Sequence, residues 1–129
     1  MLDEIESIYR GELRVNSSLY NRLNSSCSIR QYYFNEIEML ICKDGSYKLT
    51  SRSSFDIDAY FYLSHFNSTN SNDNLLISND DDGGANQFYF EYFLQSNSNK
   101  YILVVTSYEP NVTGSYSIYI RGPATVYFY

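Results

Sequence analysis

Apolar and polar residues alternate in short blocks along the chain: IYRGELRV at 8 to 15, QYYFNEIEMLI at 31 to 41, SYKLTS at 46 to 51, IDAYFYLS at 57 to 64, NLLIS at 74 to 78, QFYFEYFL at 87 to 94, KYILVVTS at 100 to 107, SYSIYIR at 115 to 121 and ATVYFY at 124 to 129. A period of two puts successive side chains on opposite sides of an extended backbone, so each block predicts a strand with one buried face. The segments between them, among them NSSLYNRLNSSCS, KDG, SRSSFD, HFNSTNSND, NDDDGGAN, QSNSN, YEPNVTG and RGP, hold the residues that turns select. The expectation is an all-β domain over residues 1 to 129, a jelly-roll-like β-sandwich of about eight or nine mainly antiparallel strands.

Two blocks and two connections carry finer expectations. The uninterrupted apolar run YILVVT predicts a central strand buried on both faces. In QFYFEYFL, Phe88, Phe90 and Tyr92 share one side and Tyr89, Glu91 and Phe93 the other, so one set packs inward while the other meets solvent or a partner. KDGS and SNSNK look like tight hairpin connections, the first with Gly45 at positive φ.

Composition narrows the function classes. Aromatics make up 18% of the 129 residues, with fifteen Tyr and no Trp, which suits strands rather than helices. The net charge is -6, and the nine Lys and Arg are scattered singly, so no basic stripe follows a nucleic-acid backbone. YILVV is far shorter than the roughly 20 apolar residues that cross a bilayer as a helix, and no membrane insertion is expected. MLDEIESIYR is acidic and lacks the basic start and apolar stretch of a secretory signal, which points to a processed chain or an excerpt.

An even cysteine pair, Cys27 and Cys42, and four Asn-x-Ser/Thr sequons at Asn16, Asn24, Asn67 and Asn111, each in or beside an expected loop, favour an extracellular setting. A Cys27–Cys42 disulfide would stabilise the fold by about 3 kcal/mol in the chain-entropy view. A straight strand over 31 to 41 would however separate the two by more than about 30 Å. The chain then doubles back, or the cysteines pair elsewhere, including between subunits.

The motifs GSYKLTS (45 to 51), DIDAYFYL (56 to 63), ISNDDDGG (77 to 84), NKYILVVTSY (99 to 108) and TGSYSIYI (113 to 120) follow one another in an order that resembles the bacterial pre-peptidase C-terminal domain. That family is a small β-sandwich appended to secreted peptidases, and the resemblance is strongest over 45 to 120. SRSSFDIDAYFYLSHF, NLLISNDDDGGANQF and YILVVTSYEPNVTGSYSIYIRGPATV also resemble repeats in large, predicted secreted proteins of microscopic invertebrates. The chain departs from the bacterial pattern at Asn99 and Lys100, where Gly-Gly or Gly-Thr often precedes the Tyr. The resemblance implies the sandwich but no peptidase-linked role.

Two sets of residues invite chemistry. Asp80, Asp81 and Asp82 lie on a Gly-flanked turn with hard oxygen ligands of the kind calcium takes, and Asp56 and Asp58 point to one side of a neighbouring strand and could join them. The same turn also reads as a solvated loop whose carboxylates bond their own backbone while Gly83 and Gly84 take positive φ. Exposed Asp residues have no apolar pocket to raise a pKa for acid catalysis, and His65 stands without a nucleophile motif. The expected function is a non-catalytic extracellular structural or adhesive module of an array or self-assembling polymer, with homo-oligomer or neighbouring β-sandwich contacts through IYRGELRV or ATVYFY. The alternative is a calcium-dependent module that binds glycan or an extracellular protein.

Overall fold

The structure, a computed structural model, describes residues 4–23, 29–69, 72–79, 84, 87–96 and 100–128. Ten strands run in chain order: β1 (Ile5–Leu13), β2 (Ser18–Leu23), β3 (Ile29–Ile41), β4 (Gly45–Ser53), β5 (Ile57–Leu63), β6 (Leu75–Asn79), β7 (Tyr89–Leu94), β8 (Tyr101–Ser107), β9 (Gly114–Gly122) and β10 (Val126–Phe128). They form two antiparallel sheets. Sheet A has the order β1-β9-β4-β7, and sheet B the order β10-β3-β8-β5-β6 with β2 also on β3.

Leaving β2 and β10 aside, β1-β9-β4-β7 over β3-β8-β5-β6 is the strand order of a jelly roll. The two extra strands share one edge of β3. Phe34 pairs with both Ser18 and Thr106, and Met39 with both Phe128 and Tyr101, so β8 lies on one side and β2 and β10 both lie on the other.

Alternation decides which side chains enter the sandwich. Tyr47 and Leu49, Phe90 and Leu94, and Tyr116, Ile118 and Ile120 come inward from sheet A to meet Ile37 and Met39, Ala59 and Phe61, and Leu103 and Val105 from sheet B. Phe61 stacks on Tyr101 at 5.5 Å between ring centroids with the planes 5° apart, and lies 5.6 Å from Phe90. Offset aromatic contacts of this kind add to the area they bury. The expected division of QFYFEYFL is seen: Phe88 and Phe90 are buried and Tyr92 packs on the core, whereas Tyr89, Glu91 and Phe93 are exposed.

β8 is buried at all seven positions, as its apolar run predicts. Tyr101, Leu103 and Val105 face the sandwich, while Ile102 and Val104 join Tyr62 in a second cluster on the outside of sheet B, backed by Phe34, Tyr60, Phe66 and Leu75.

The structure corrects three expectations. NSSLYNRLNSSCS contains β2, because Ser18–Leu23 finds a partner in the first half of β3; the Asn and Ser on both sides hide so short a strand. KDGS and SNSNK are not hairpins. Each joins strands of opposite sheets, β3 to β4 and β7 to β8, and so crosses the roughly 10 Å between layers. Asp44 in the first accepts hydrogen bonds from Ser96 N (2.6 Å) and Ser96 Oγ (2.8 Å) in the second, which ties the two crossings together. Nor does Gly45 take positive φ: it opens β4 against Pro123, whose Cγ would stand 2.6 Å from an added Cβ. Gly84 does take positive φ, at 76°. Gly83 lies outside the described residues.

Candidate functional site

The outer face of sheet A is built in rows, because residues paired across antiparallel strands project to the same side. The first row is Glu6, Arg121, Lys48 and Glu91. It is charge-balanced: Arg121 Nε meets Glu6 Oε2 at 2.9 Å, and Lys48 Nζ reaches Glu4 Oε2 at 3.3 Å. The second is Ile8, Tyr119, Thr50 and Tyr89, largely apolar and aromatic, with Ile8 38% and Tyr89 37% exposed. The third is Arg10, Ser117 and Arg52. Glu12 and Ser115 follow.

The third row is cationic. Arg10 and Arg52 flank Ser117 from the two neighbouring strands, which sets their backbones about 10 Å apart, two strand spacings. The Arg52 guanidinium lies over the Tyr119 ring at 5.0 Å, and that contact holds it against the sheet. The nearby Glu12 carboxylate already holds Arg14, at 2.8 Å.

Arg10, Arg14, Arg52, Glu12, Ser115 and Ser117 line an open groove of about 440 Å³. Gly11 and Tyr116 complete its lining. The Tyr116 ring lies against Gly11, where an added Cβ would stand 2.6 Å from Cζ, so a larger residue would lift β1. The Tyr116 hydroxyl accepts a hydrogen bond from Asn35 Nδ2 at 2.6 Å, and burial pushes its pKa well above the ordinary phenol range. Asn35 Nδ2 also donates to the Glu12 carbonyl, at 3.0 Å. The lining thus holds three guanidiniums and one carboxylate, Glu12, which is already paired with Arg14, and this excess of positive charge favours an anion over a cation.

The residues singled out in the sequence fall elsewhere. Asp80, Asp81 and Asp82 lie outside the described residues. Asp58 is buried on β5, and Asp56 precedes the strand half-buried. Ala59 pairs with Asn79, the last residue of β6, so that strand ends one residue along from Asp58. Downstream, Gln87 is buried: its N–H donates to Gly84 O at 3.0 Å, and its side-chain oxygen accepts from Ser51 Oγ at 2.9 Å. His65 is exposed in the connection after β5, where Asn74 Nδ2 lies 2.9 Å from its Nε2.

Cys42 is exposed with a free thiol just beyond β3. Cys27 lies outside the described residues, and β3 between them is one unbroken strand, the straight-strand case of the sequence reading. Asn16 sits in an exposed turn, Asn67 in the connection after β5 and Asn111 in an exposed turn at φ 61°. Asn24 lies outside the described residues.

Sequence reasoning missed Arg10, Arg52 and Ser117. Each occupies an outward position of its strand, but nothing local says that β9 stands between β1 and β4. No protein-family model matches the chain, and a search of curated proteins finds no match.

Proposed function

We propose that the chain is a non-catalytic adhesive β-sandwich module of an extracellular protein, a unit of a larger array, that holds a glycan on the outer face of sheet A. The observation that carries this reading is the row Ile8, Tyr119, Thr50 and Tyr89, with its two tyrosine rings, set beside the arginine groove on the outer face of the sheet. Aromatic faces take sugar rings, guanidinium and hydroxyl groups take their polar edges, and a rigid sheet presents both without an ordering cost. The turn positions of Asn16 and Asn111 and the resemblance to a domain of secreted proteins support the extracellular setting.

A glycan array tests it. The module is expected to bind a defined glycan class, and Tyr89→Ala with Tyr119→Ala is expected to abolish that binding while a folded circular-dichroism spectrum persists. Unchanged binding by the folded double variant would overturn the reading.

A second reading rests on β1, a nine-residue strand at the edge of sheet A. A long edge strand is a template for another chain, so self-assembly through β1 is a competing use of the same sheet. Sedimentation velocity with calcium and then with chelator separates the cases. Large species in both conditions favour assembly through β1, collapse only in chelator favours a calcium-dependent contact through Asp56, Asp58 and Asp80 to Asp82, and a monomer in both favours the glycan module.

A further inference from the structure

We infer that the ligand of this face is an anionic polysaccharide, and that Arg10 and Arg52 bind successive sulfate or carboxylate groups on either side of Ser117. The inference rests on the reading of sheet A as a glycan-holding face and names the chemistry of the glycan.

Charge complementarity carries it. The chain has a net charge of -6, yet this row has two guanidiniums and no carboxylate. Elsewhere on the same face cations are matched: Arg121 by Glu6, Lys48 by Glu4 and Arg14 by Glu12. Among the described residues neither Arg10 nor Arg52 has a carboxylate within ion-pair distance, so an arriving anion displaces no internal partner. Guanidinium is weakly hydrated and presents a planar fork of donors that fits the oxygens of a sulfate or carboxylate. Arg52 is held in advance over Tyr119, which lowers the cost of fixing it.

The spacing favours a polymer over a single small anion. Two backbones about 10 Å apart hold two guanidiniums too widely for one sulfate to be gripped by both without large side-chain movement. Charged groups repeated along a sugar chain suit the pair better, with the Ser117 hydroxyl between them and the Ser115 hydroxyl one row on. The aromatic row lies two residues along each strand, about 7 Å away, close enough for one sugar to rest on the exposed Tyr89 ring while its substituent meets Arg52 on the neighbouring strand. A polyphosphate would use the arginines and leave that row idle.

The test is binding of the whole chain to immobilised dextran sulfate, polygalacturonate, neutral dextran and polyphosphate, across a salt series. Dextran sulfate or polygalacturonate is expected to bind, and preference between the two assigns sulfate or carboxylate. Arg10→Gln and Arg52→Gln are each expected to weaken binding about tenfold and together about a hundredfold, with a shallower salt dependence. The charge-matched control Arg30→Gln with Lys100→Gln, on β3 and just before β8, is expected to leave it unchanged. Equal losses in the control would show general charge attraction and overturn the inference, as would polyphosphate binding as tightly as dextran sulfate. Binding to neutral glycans that needs Tyr89 and Tyr119 but not the arginines would overturn the inference and leave the glycan module standing. Arginine-dependent self-association of the protein alone, with no glycan bound, would overturn both. Thermal melts of each variant establish that it is folded.

Discussion

Sheet B covers the part of its outer face over β2, β5, β8 and the first half of β3 with residues of its own chain and leaves the Leu40–Tyr127 pair at its far end exposed, whereas sheet A leaves its outer face as rows of charge, hydroxyl and exposed ring. On sheet B, Phe66 reaches back from the connection after β5 to meet Tyr62 at 4.9 Å, Phe34 at 5.2 Å and Tyr20 at 5.6 Å, and Tyr20 meets Phe34 edge-on at 5.2 Å. Ile102 and Val104 are buried beneath this cover. On sheet A, Phe93 is 57% exposed. Both sheets fill the sandwich, so the second cluster is an addition to sheet B rather than a requirement of the layer. The contrast teaches where selection for folding ends: residues outside sheet A contribute little to burial, and their identities are open to a ligand.

The largest test of that contrast is a pair of substitutions. Tyr62→Ala, at a fully buried ring under Phe66, is expected to cost about 3 to 4 kcal/mol in urea unfolding, from lost transfer energy and the cavity left behind. Phe93→Ala is expected to stay within about 0.5 kcal/mol. Comparable losses would mean that the native protein covers sheet A as well, and the comparison would fail.

Phe66→Ala sharpens it. The ring is half-buried, so about 2 kcal/mol is expected, with faster amide exchange in β8 than in β9 because only sheet B loses its cover. Equal changes in the two strands would show that Phe66 supports the whole sandwich.

Smaller still is Arg121→Ala. The Glu6 pair is largely exposed, with side-chain exposures of 61% and 37%, and its loss is expected to cost under about 1 kcal/mol. A melt in high salt should narrow even that difference, since surface ion pairs are screened.

The smallest effect is a pH dependence at the crossing between sheets. Hydrogen bonds from the Ser96 backbone N–H and hydroxyl hold the Asp44 carboxyl below its ordinary pKa. A depressed folded-state pKa means that the unfolded chain binds the proton more readily, so this contribution is present above the unfolded pKa and disappears as pH falls through the folded one. Asp44→Asn should therefore melt slightly lower than the parent near neutral pH and converge with it in acid. Parallel melting curves at every pH would remove Asp44 from the account.

Much of the fold was legible because strand periodicity is local. All nine alternating blocks became strands, YILVVT became the doubly buried β8, and the inward and outward sets of QFYFEYFL separated as the alternation requires. β2 was not legible, since Ser18–Leu23 is a strand only by virtue of its partner, the first half of β3. The crossings at KDG and SNSN looked like hairpins because turn residues report that the chain bends, not which sheet it enters next. The aspartates of NDDDGG drew the eye as a run, while Arg10, Arg52 and Ser117 lie far apart in the chain and carried no local signal.

The sequence by itself determined that the chain is all-β, where most of its strands lie and which side of each is apolar, because a side chain's direction along a strand depends only on its neighbours in the chain. Tertiary structure alone decided that β9 stands between β1 and β4, and with it that two arginines more than forty positions apart flank one serine. Strand order is set by how the two sheets jointly bury their inner faces, a sum over the whole chain that no short stretch contains.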